Sequence, residues 1–257
     1  MTGQSLLRPT ALITGASGGI GRATARLLAA RLLAQSGADL ILHGHSHRAT
    51  LESLVAELKS QHPAASISTL YADLSLETEQ DRLMDTVANS GSMPDILVLA
   101  AGCDLMSETL KQLPFETRLM HLWQVDVVSA MRLSRFFGER MKQSQGAIVF
   151  FGWDGTEYGM AGETAQLYAA AKGAVQGFSR SLAHSLAPEV RVNCVAPGWI
   201  KTTWGETASP ATNEHVASES LAQRWGTADD IAETVRFLVS DAAAYINNQT
   251  IYVNGGR

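Results

Sequence analysis

A glycine-rich turn near the amino terminus most limits the folds open to this chain. Thr10–Thr14 is a short apolar segment typical of a buried strand, and Gly15–Gly21 follows it directly with Gly-x3-Gly-x-Gly spacing. Residues 22–30 then have helical composition. Strand, glycine turn and helix in this order form a dinucleotide-binding unit, because glycine permits a tight turn and a close approach of backbone to a pyrophosphate at the helix N-terminus. The segment therefore predicts a nucleotide-binding α/β domain.

Apolar segments recur along the rest of the chain, between stretches of helical composition. Near-continuous apolar strands that alternate with helices are typical of a parallel sheet buried on both faces. We therefore predict a single doubly wound (Rossmann) α/β domain over residues 1–257, with helices on both faces of the sheet. The predicted strands after Thr10–Thr14 are Leu40–Leu42, Ile67–Tyr71, Ile96–Ala100, Ala147–Phe151, Arg191–Val195 and Gln249–Val253.

Composition and charge argue against several classes of protein. No apolar run is long enough to span a bilayer, and the first strand begins too early to leave room for a signal peptide. Two cysteines, Cys103 and Cys194, are too few for a disulfide framework, and a net charge of −5 argues against a general nucleic-acid binder. We therefore expect a cytoplasmic protein that acts on a small molecule, with no membrane or nucleic-acid partner.

A candidate catalytic pair lies far downstream of the glycine turn. Tyr168 and Lys172 are four residues apart, so on a helix they lie on one face. A cation beside a phenol stabilises the phenolate, and each unit of pKa depression corresponds to about 1.4 kcal/mol. Tyr-x3-Lys also occurs by chance in many helices, and it is the upstream glycine turn that makes this pair a candidate site.

These two motifs and several others resemble the short-chain dehydrogenase/reductase family, especially its 3-oxoacyl-carrier-protein reductases. The resemblance runs over nearly the whole chain and implies hydride transfer between a nicotinamide and a carbonyl or alcohol. It also implies a homotetramer or homodimer, assembled through long helices such as those containing residues 119–137 and 168–186. The further segments that carry the resemblance are Tyr71–Ser75, Ala100–Gly102, Arg191–Thr202 and Tyr252–Gly256.

The resemblance also implies which residues bind the cofactor. Tyr71–Ser75 corresponds to the family's adenine-side segment and Arg191–Thr202 to the segment that borders the nicotinamide. The complete set implied is Gly15, Ser17, Gly19, Ile20, Gly21, His45, Ser46, Arg48, Asp73, Leu74, Ala100, Ala101, Gly102, Tyr168, Lys172, Pro197, Gly198, Ile200 and Thr202.

The segment after the second strand favours NADP(H) over NAD(H). NAD-selective members hold the adenosine ribose with an acid there, whereas residues 43–50 contain no carboxylate. His45, Ser46, His47 and Arg48 are instead suited to a 2′-phosphate, which an arginine fork binds bidentately. Two considerations leave NAD(H) and a metal site open: Gly18 replaces the basic residue of many NADP-using relatives, and the histidines at 43, 45 and 47 are closely spaced.

The active site departs from the family's Asn-Ser-Tyr-Lys pattern. Tyr168 matches the family's acid/base, and Lys172 matches the lysine that tunes the tyrosine and holds the ribose. Asp126 falls at the asparagine position, where we predict that it pairs with Lys172 and opposes formation of the phenolate. The changed asparagine and serine positions motivate an alternative function. The chain would then be a cofactor-binding relative with weak or lost catalysis that acts as a sensor or binding protein.

No serine occurs between Gln145 and Tyr168, so the serine position is also changed. Counting back from the tyrosine gives Gly155, and matching from the preceding strand gives Trp153 or Asp154. A protonated Asp154 can donate to the substrate oxygen, or its anion can accept from an amino-bearing heterocycle, as in the family's pteridine reductases, with Trp153 stacked on the ring. The structural alternative is that Asp154 caps a turn and Trp153 packs. Further hydroxyl candidates are Thr156 and Thr164.

Two other segments carry expectations about local structure. Residues 26–30 are nearly repeated at 31–35, and five residues rotate a helix face by roughly 140°, so we predict a bulge or an overhanging turn before Gly37. The polar segment 201–210 corresponds to the family's substrate cover, where Trp199 and Trp204 are candidate pocket residues.

Overall fold

Seven parallel strands form one sheet, in the order β3-β2-β1-β4-β5-β6-β7. The computed structural model describes residues 9–32, 39–202, 205 and 208–256. The order reverses between β1 and β4, and in doubly wound sheets ligands bind at the carboxyl ends of the strands beside such a switch. The strands are β1 (Thr10–Thr14), β2 (Asp39–Gly44), β3 (Ile67–Tyr71), β4 (Ile96–Leu99), β5 (Ala147–Phe151), β6 (Arg191–Pro197) and β7 (Thr250–Val253). The doubly wound fold predicted from the sequence is confirmed.

Helices cover both faces of the sheet. The helices are α1 (Gly19–Leu27), α2 (Arg48–Gln61), α3 (Glu77–Asn89), α4 (Phe115–Leu122), α5 (Ser129–Met141), α6 (Gly155–Tyr158), α7 (Glu163–Leu186), α8 (Pro210–Ser218) and α9 (Ala228–Leu238). Local sequence defines some of their starts. Thr227 and Asp230 form a reciprocal capping box at α9, which satisfies backbone donors that the first turn leaves free. Among the described residues, no helix is long and apolar enough to cross a membrane.

Two apolar cores follow from the alternation of side chains along the strands. In β1, Leu12 belongs to the core under α3, α5 and α7, whereas its neighbour Ile13 belongs to the core under α1, α2 and α9. Both side chains are fully buried. The sheet is therefore buried on both faces.

In the part of the chain that the structure describes, two π-helical turns interrupt the helices. The first, Leu28–Leu32, continues α1 into the duplicated segment and confirms the predicted bulge. The rest of the duplication up to Gly37 lies outside the described residues. The second turn, Trp123–Val128, joins α4 to α5 and carries Asp126. Such single-turn widenings are frequent at functional sites.

Candidate active site

The glycine turn forms a cradle of exposed backbone between β1 and α1. Gly15 has φ of +66°, a conformation that favours glycine. Gly18 precedes the first turn of α1, which has no side-chain cap and no acidic residue. The first backbone N–H groups of the helix are therefore available to a phosphate. This arrangement is what the sequence predicted for a pyrophosphate site.

Several predicted cofactor residues pack closely around this cradle. A Cβ added at Gly15 would lie 2.7 Å from the carbonyl oxygen of Ala100 and from Cα of Ala101. A Cβ at Gly19 would lie 3.0 Å from Cγ2 of Thr202. A side chain at Gly15 would collide with the backbone after β4, and one at Gly19 would displace the Thr202 side chain. Gly15 is therefore needed for close approach as well as for conformation. The structure thus brings the amino-terminal and carboxyl-terminal parts of the predicted cofactor site together.

His43 forms a hydrogen bond with the backbone of the glycine turn, a role that the sequence did not reveal. The backbone N–H of Gly15 donates to its Nδ1 (3.3 Å), and its Nε2 lies 3.1 Å from the carbonyl oxygen of Ala72. Because Nδ1 accepts, Nε2 carries the proton and donates. Burial lowers the pKa of His43 to about 4. His43 is therefore neutral, and its two hydrogen bonds link the glycine turn to the segment after β3.

The rim beyond β2 carries the residues predicted to select the cofactor. His45, Ser46 and Arg48 are exposed. The His45 imidazole lies 3.7 Å from the Asp73 carboxylate, and the Arg48 guanidinium lies 4.2 Å from the centre of the Tyr71 ring. No acidic residue occurs in the first turn of α2. The rim therefore offers basic and hydroxyl groups to an anion.

Two details of the rim bear on alternatives and residues named from the sequence. His43 is buried and directed away from the other histidines, so the three histidines do not converge on one point. Within the described part of the chain, no group of three or more His, Cys, Asp or Glu residues is arranged to hold a metal ion. Leu74 is only 3% exposed and belongs to the core, so its side chain is packed against protein.

Tyr168 and Lys172 lie one turn apart on α7, as predicted. The Lys172 ammonium forms an ion pair with Oδ2 of Asp126 at 2.7 Å, and the Asp126 side chain is 1% exposed. Oδ1 of Asp126 accepts a hydrogen bond from the backbone N–H of Cys103 at 2.7 Å. The predicted pairing of Asp126 with Lys172 is confirmed, and the same carboxylate anchors the loop that follows β4.

That loop also holds the hydroxyl of Tyr168. The hydroxyl donates to the carbonyl oxygen of Cys103 at 2.7 Å and accepts from the backbone N–H of Leu105 at 3.2 Å. The tyrosine's proton is therefore engaged by the backbone in this structure. A substrate oxygen that takes this proton must replace the carbonyl of Cys103.

The electrostatic surroundings favour the neutral phenol. Burial raises the pKa of Tyr168 above its ordinary value; the hydrogen bond from Leu105 lowers it, and the Asp126 carboxylate raises it further. The prediction that Lys172 gives this tyrosine a lowered pKa is wrong for this structure, chiefly because the phenol is buried and also because Asp126 lies nearby. The prediction that Asp126 opposes the phenolate is confirmed.

The serine position is filled by an indole. Trp153 follows β5 by two residues, and its ring meets the Tyr168 ring edge-on, with 6.4 Å between centroids. A Cβ added at Gly155 would lie 2.4 Å from Cζ2 of Trp153. The indole therefore occupies the space that a side chain at position 155 would need.

Asp154 is placed differently from a substrate-binding carboxyl. It is 1% exposed, and its Oδ2 accepts a hydrogen bond from the Asn254 amide at 3.3 Å. A Cβ added at Gly198 would lie 3.1 Å from the same oxygen. The carboxyl thus joins the turn after β5 to the ends of β6 and β7. Its burial argues against direct contact with a substrate, and its catalytic role stays a prediction.

The two threonine candidates have other partners. The Thr156 hydroxyl lies 2.8 Å from both the Trp153 carbonyl oxygen and Oε1 of Gln176. The Thr164 hydroxyl accepts from Arg118 at 2.6 Å. Arg118 is buried and also pairs with Glu163, which ties α4 to the start of α7. Nothing in the local sequence identified Arg118, because its partners are 45 and 46 residues away.

The predicted substrate cover is described only in part. Trp199 donates from Nε1 to Glu219 at 2.9 Å, and its ring meets Trp225 edge-on at 6.0 Å. Trp199 is therefore held by packing and a hydrogen bond. Trp204 lies outside the described residues.

Comparison with known proteins shows the family to which the chain belongs. A family model described as enoyl-(acyl carrier protein) reductase matches residues 15–257. The chain belongs to the short-chain dehydrogenase/reductase family. The uncharacterized oxidoreductase YmfI of Bacillus subtilis is 34% identical over 259 residues, covering 97% of this chain and 99% of that protein. The 3-oxoacyl-(acyl-carrier-protein) reductase FabG of Escherichia coli is 34% identical, covering 96% of each chain. As a member of this family the chain is an oxidoreductase.

Solved structures of family members share the fold over almost their whole length. A 3-oxoacyl (acyl-carrier-protein) reductase from Agrobacterium tumefaciens, with NADP bound, has a TM-score of 0.84 and 25% identity, and the match covers 100% of both chains. A blue fluorescent protein from a metagenomic library, in complex with NADPH, has a TM-score of 0.84 and 26% identity, covering 96% of this chain and 97% of that one.

Proposed function

We propose that this protein is an NADP(H)-dependent reductase of a carbonyl group or a conjugated heterocycle, with Tyr168 as the acid/base. The observation that carries the proposal is the placement of Tyr168 and Lys172 on one face of α7, at the carboxyl edge of the sheet that also bears the glycine cradle. Lys172 and Asp126 form a buried ion pair beside the tyrosine.

The residues present fit a nicotinamide dinucleotide. The uncapped start of α1 and the side-chain-free glycines offer backbone donors to a pyrophosphate. His45, Ser46 and Arg48 supply donors for a 2′-phosphate, and residues 43–50 contain no carboxylate to repel it, although Asp73 lies 3.7 Å from His45. The NADP and NADPH bound to the two structural relatives support the same choice. NAD(H) is the weaker alternative.

When bound, the nicotinamide supplies the hydride that adds to the carbonyl carbon. The Tyr168 hydroxyl gives its proton to the carbonyl oxygen, so the product is an alcohol, and the resulting phenolate regains a proton from water before the next turnover. Its pKa is raised by burial, so the hydroxyl carries its proton at neutral pH but is a weaker acid than a free phenol. Lys172 holds the nicotinamide ribose, and Asp126 fixes both Lys172 and the loop at Cys103.

A second candidate function is cofactor sensing without efficient turnover. Two observations favour it: the serine is absent, and the Tyr168 proton is bonded to the Cys103 carbonyl. The intact Tyr168–Lys172 pair favours the reductase, since a sensor needs neither side chain for proton transfer.

A titration followed by a substrate panel separates the two functions. We expect NADPH to bind at least roughly tenfold more tightly than NADH, which is the effect of one charge-assisted hydrogen bond to the 2′-phosphate. The panel then follows NADPH oxidation with acetoacetyl-N-acetylcysteamine, a 3-oxoacyl thioester, and with dihydrobiopterin, a conjugated heterocycle. Oxidation of NADPH by either compound supports the reductase. Tight binding without turnover of any carbonyl or pterin compound would favour the sensor.

A further inference from the structure

The reacting oxygen of the proposed reduction needs a second hydrogen-bond donor beside Tyr168. In this family the serine supplies it, and here no serine occurs between Gln145 and Tyr168. Loss of one donor to a developing oxyanion costs about 10²- to 10³-fold in rate. Another donor at the same place would recover this factor, and the inference that follows rests on the proposed function.

Two of the candidates for this donor are already engaged. Asp154 is buried against Asn254, and the Thr156 hydroxyl donates to Gln176 or to the Trp153 carbonyl. Recruiting either would break a bond that orders the turn after β5. The Thr164 hydroxyl accepts from Arg118, which fixes it at the start of α7.

Trp153 lies beside Tyr168 at the carboxyl edge of the sheet. It follows β5, and the two rings meet edge-on with 6.4 Å between centroids and 61° between planes. Two donors that each lie about 2.9 Å from one oxygen are separated by at most about 6 Å. One oxygen can therefore bridge the two side chains where Nε1 and the phenol oxygen turn to the same side.

The surroundings of Trp153 hold its ring in this place. A Cβ at Gly155 would lie 2.6 Å from Cε2, the ring atom bonded to Nε1. The Thr156 hydroxyl also donates to the backbone carbonyl of Trp153 at 2.8 Å. Trp153 is only partly buried, and among the described residues its Nε1 has no hydrogen-bond acceptor and is not enclosed. The indole is thus oriented by packing while its N–H stays available.

We propose that Trp153 is a catalytic residue whose indole N–H donates to the substrate carbonyl oxygen in place of the family's serine. The proton that forms the alcohol still comes from Tyr168, and Trp153 keeps its own proton throughout. An indole N–H only donates, whereas a serine hydroxyl also accepts. The indole N–H therefore donates to a carbonyl or alkoxide oxygen, and this hydrogen bond becomes stronger as negative charge develops on the oxygen.

Two substitutions distinguish the contribution of the indole N–H from that of the aromatic ring. Trp153→Phe keeps an aromatic ring against Tyr168 but removes the N–H, and Trp153→His keeps a ring with an N–H. The probe is NADPH-dependent reduction of acetoacetyl-N-acetylcysteamine, at a pH above the ordinary imidazole pKa of about 6.5. We expect Trp153→Phe to lower kcat about 10²-fold with NADPH affinity unchanged, and Trp153→His to recover about tenfold of that loss. The control is Trp123→Phe, which removes an indole N–H from the turn before α5.

The outcomes decide the role of the indole N–H. A Trp153→Phe variant that retains the native kcat would overturn the proposal. Equal losses in Trp153→Phe and Trp153→His, with native NADPH affinity and Tm, would also overturn it, because the ring would then serve packing alone. Should the native protein reduce no compound, the proposed function fails separately. Calorimetric binding of 3-hydroxybutyryl-N-acetylcysteamine to the NADP⁺ complex then tests the donor, and equal affinity of the native and Trp153→Phe proteins contradicts it.

Discussion

At the scale of single residues, His43 shows how a buried polar group shapes the cofactor cradle. It accepts from Gly15 and donates to Ala72, contacts that join segments 28 and 29 residues away in the sequence. The sequence suggested only a possible metal ligand, because three closely spaced histidines look alike until burial separates them. Tertiary burial, which no local pattern encodes, therefore decided the role of this residue.

His43 predicts a specific dependence of stability on pH. Its pKa in the fold is about 4, against an ordinary value of 6.5. Between these two values the unfolded chain binds a proton on His43 and the folded chain does not. Stability is fully present above pH 6.5 and falls as the pH decreases toward 4, by about 3 kcal/mol from this residue. Urea unfolding across this range measures the effect.

A matched pair of variants isolates this contribution. His43→Gln offers one acceptor and one donor without titrating, so its stability curve should be flatter than that of the native protein over this range. His47→Gln changes an exposed histidine and should keep the native slope. Identical slopes for His43→Gln and native protein would mean that His43 does not stay neutral in the fold.

At the scale of elements, the π-helical turn Trp123–Val128 places Asp126 beside Lys172. The position of Asp126 relative to the family's asparagine was readable from the sequence, and so was its pairing with the lysine. The engagement of Tyr168 by the loop at Cys103 was not, because it depends on backbone atoms 65 residues away. Motif spacing thus predicts which side chains share a site, whereas loop conformation decides what they contact.

Asp126→Asn restores the family's residue and should move the pH dependence of turnover. The native carboxylate opposes the phenolate and neutralises Lys172, so its removal lowers the pKa of Tyr168. Reduction requires the protonated tyrosine, and the alkaline fall in kcat should therefore move to lower pH. The asparagine oxygen can still accept from the backbone N–H of Cys103.

The pH–rate profile of kcat is the measurement that checks this shift. Asp81→Asn, which removes an exposed carboxylate paired with Arg132, serves as the control and should keep the native profile. Movement of the alkaline limb to higher pH in Asp126→Asn would contradict the electrostatic role assigned to Asp126.

At the scale of the whole molecule, the outer surfaces of α5 and α7 form a face suited to assembly. A groove there is lined by apolar and charged side chains that include Met131, Phe136 and Phe178. The family resemblance implied a homotetramer or homodimer through these helices, and assembly stays a prediction. We expect light scattering to give a mass of two or four times the 27.5 kDa chain.

Gly177 offers a substitution that tests this face without disturbing the folded chain. It is exposed on α7, and a Cβ added there meets no atom within 4 Å. Gly177→Arg should therefore leave the fold of the single chain intact but reduce the mass of the assembly in solution. Ser60→Arg lies on α2 on the opposite face of the sheet and should keep the native mass. A native mass for Gly177→Arg would place any interface elsewhere.

The central claim is that Tyr168 donates the proton in an NADPH-dependent reduction, and the Tyr168→Phe variant tests it most directly. Loss of a positioned acid costs about 10²- to 10⁴-fold. With acetoacetyl-N-acetylcysteamine, or with whichever panel compound the native protein reduces, we expect kcat to fall by that factor while NADPH affinity stays native. Turnover by Tyr168→Phe at the native rate would contradict the account.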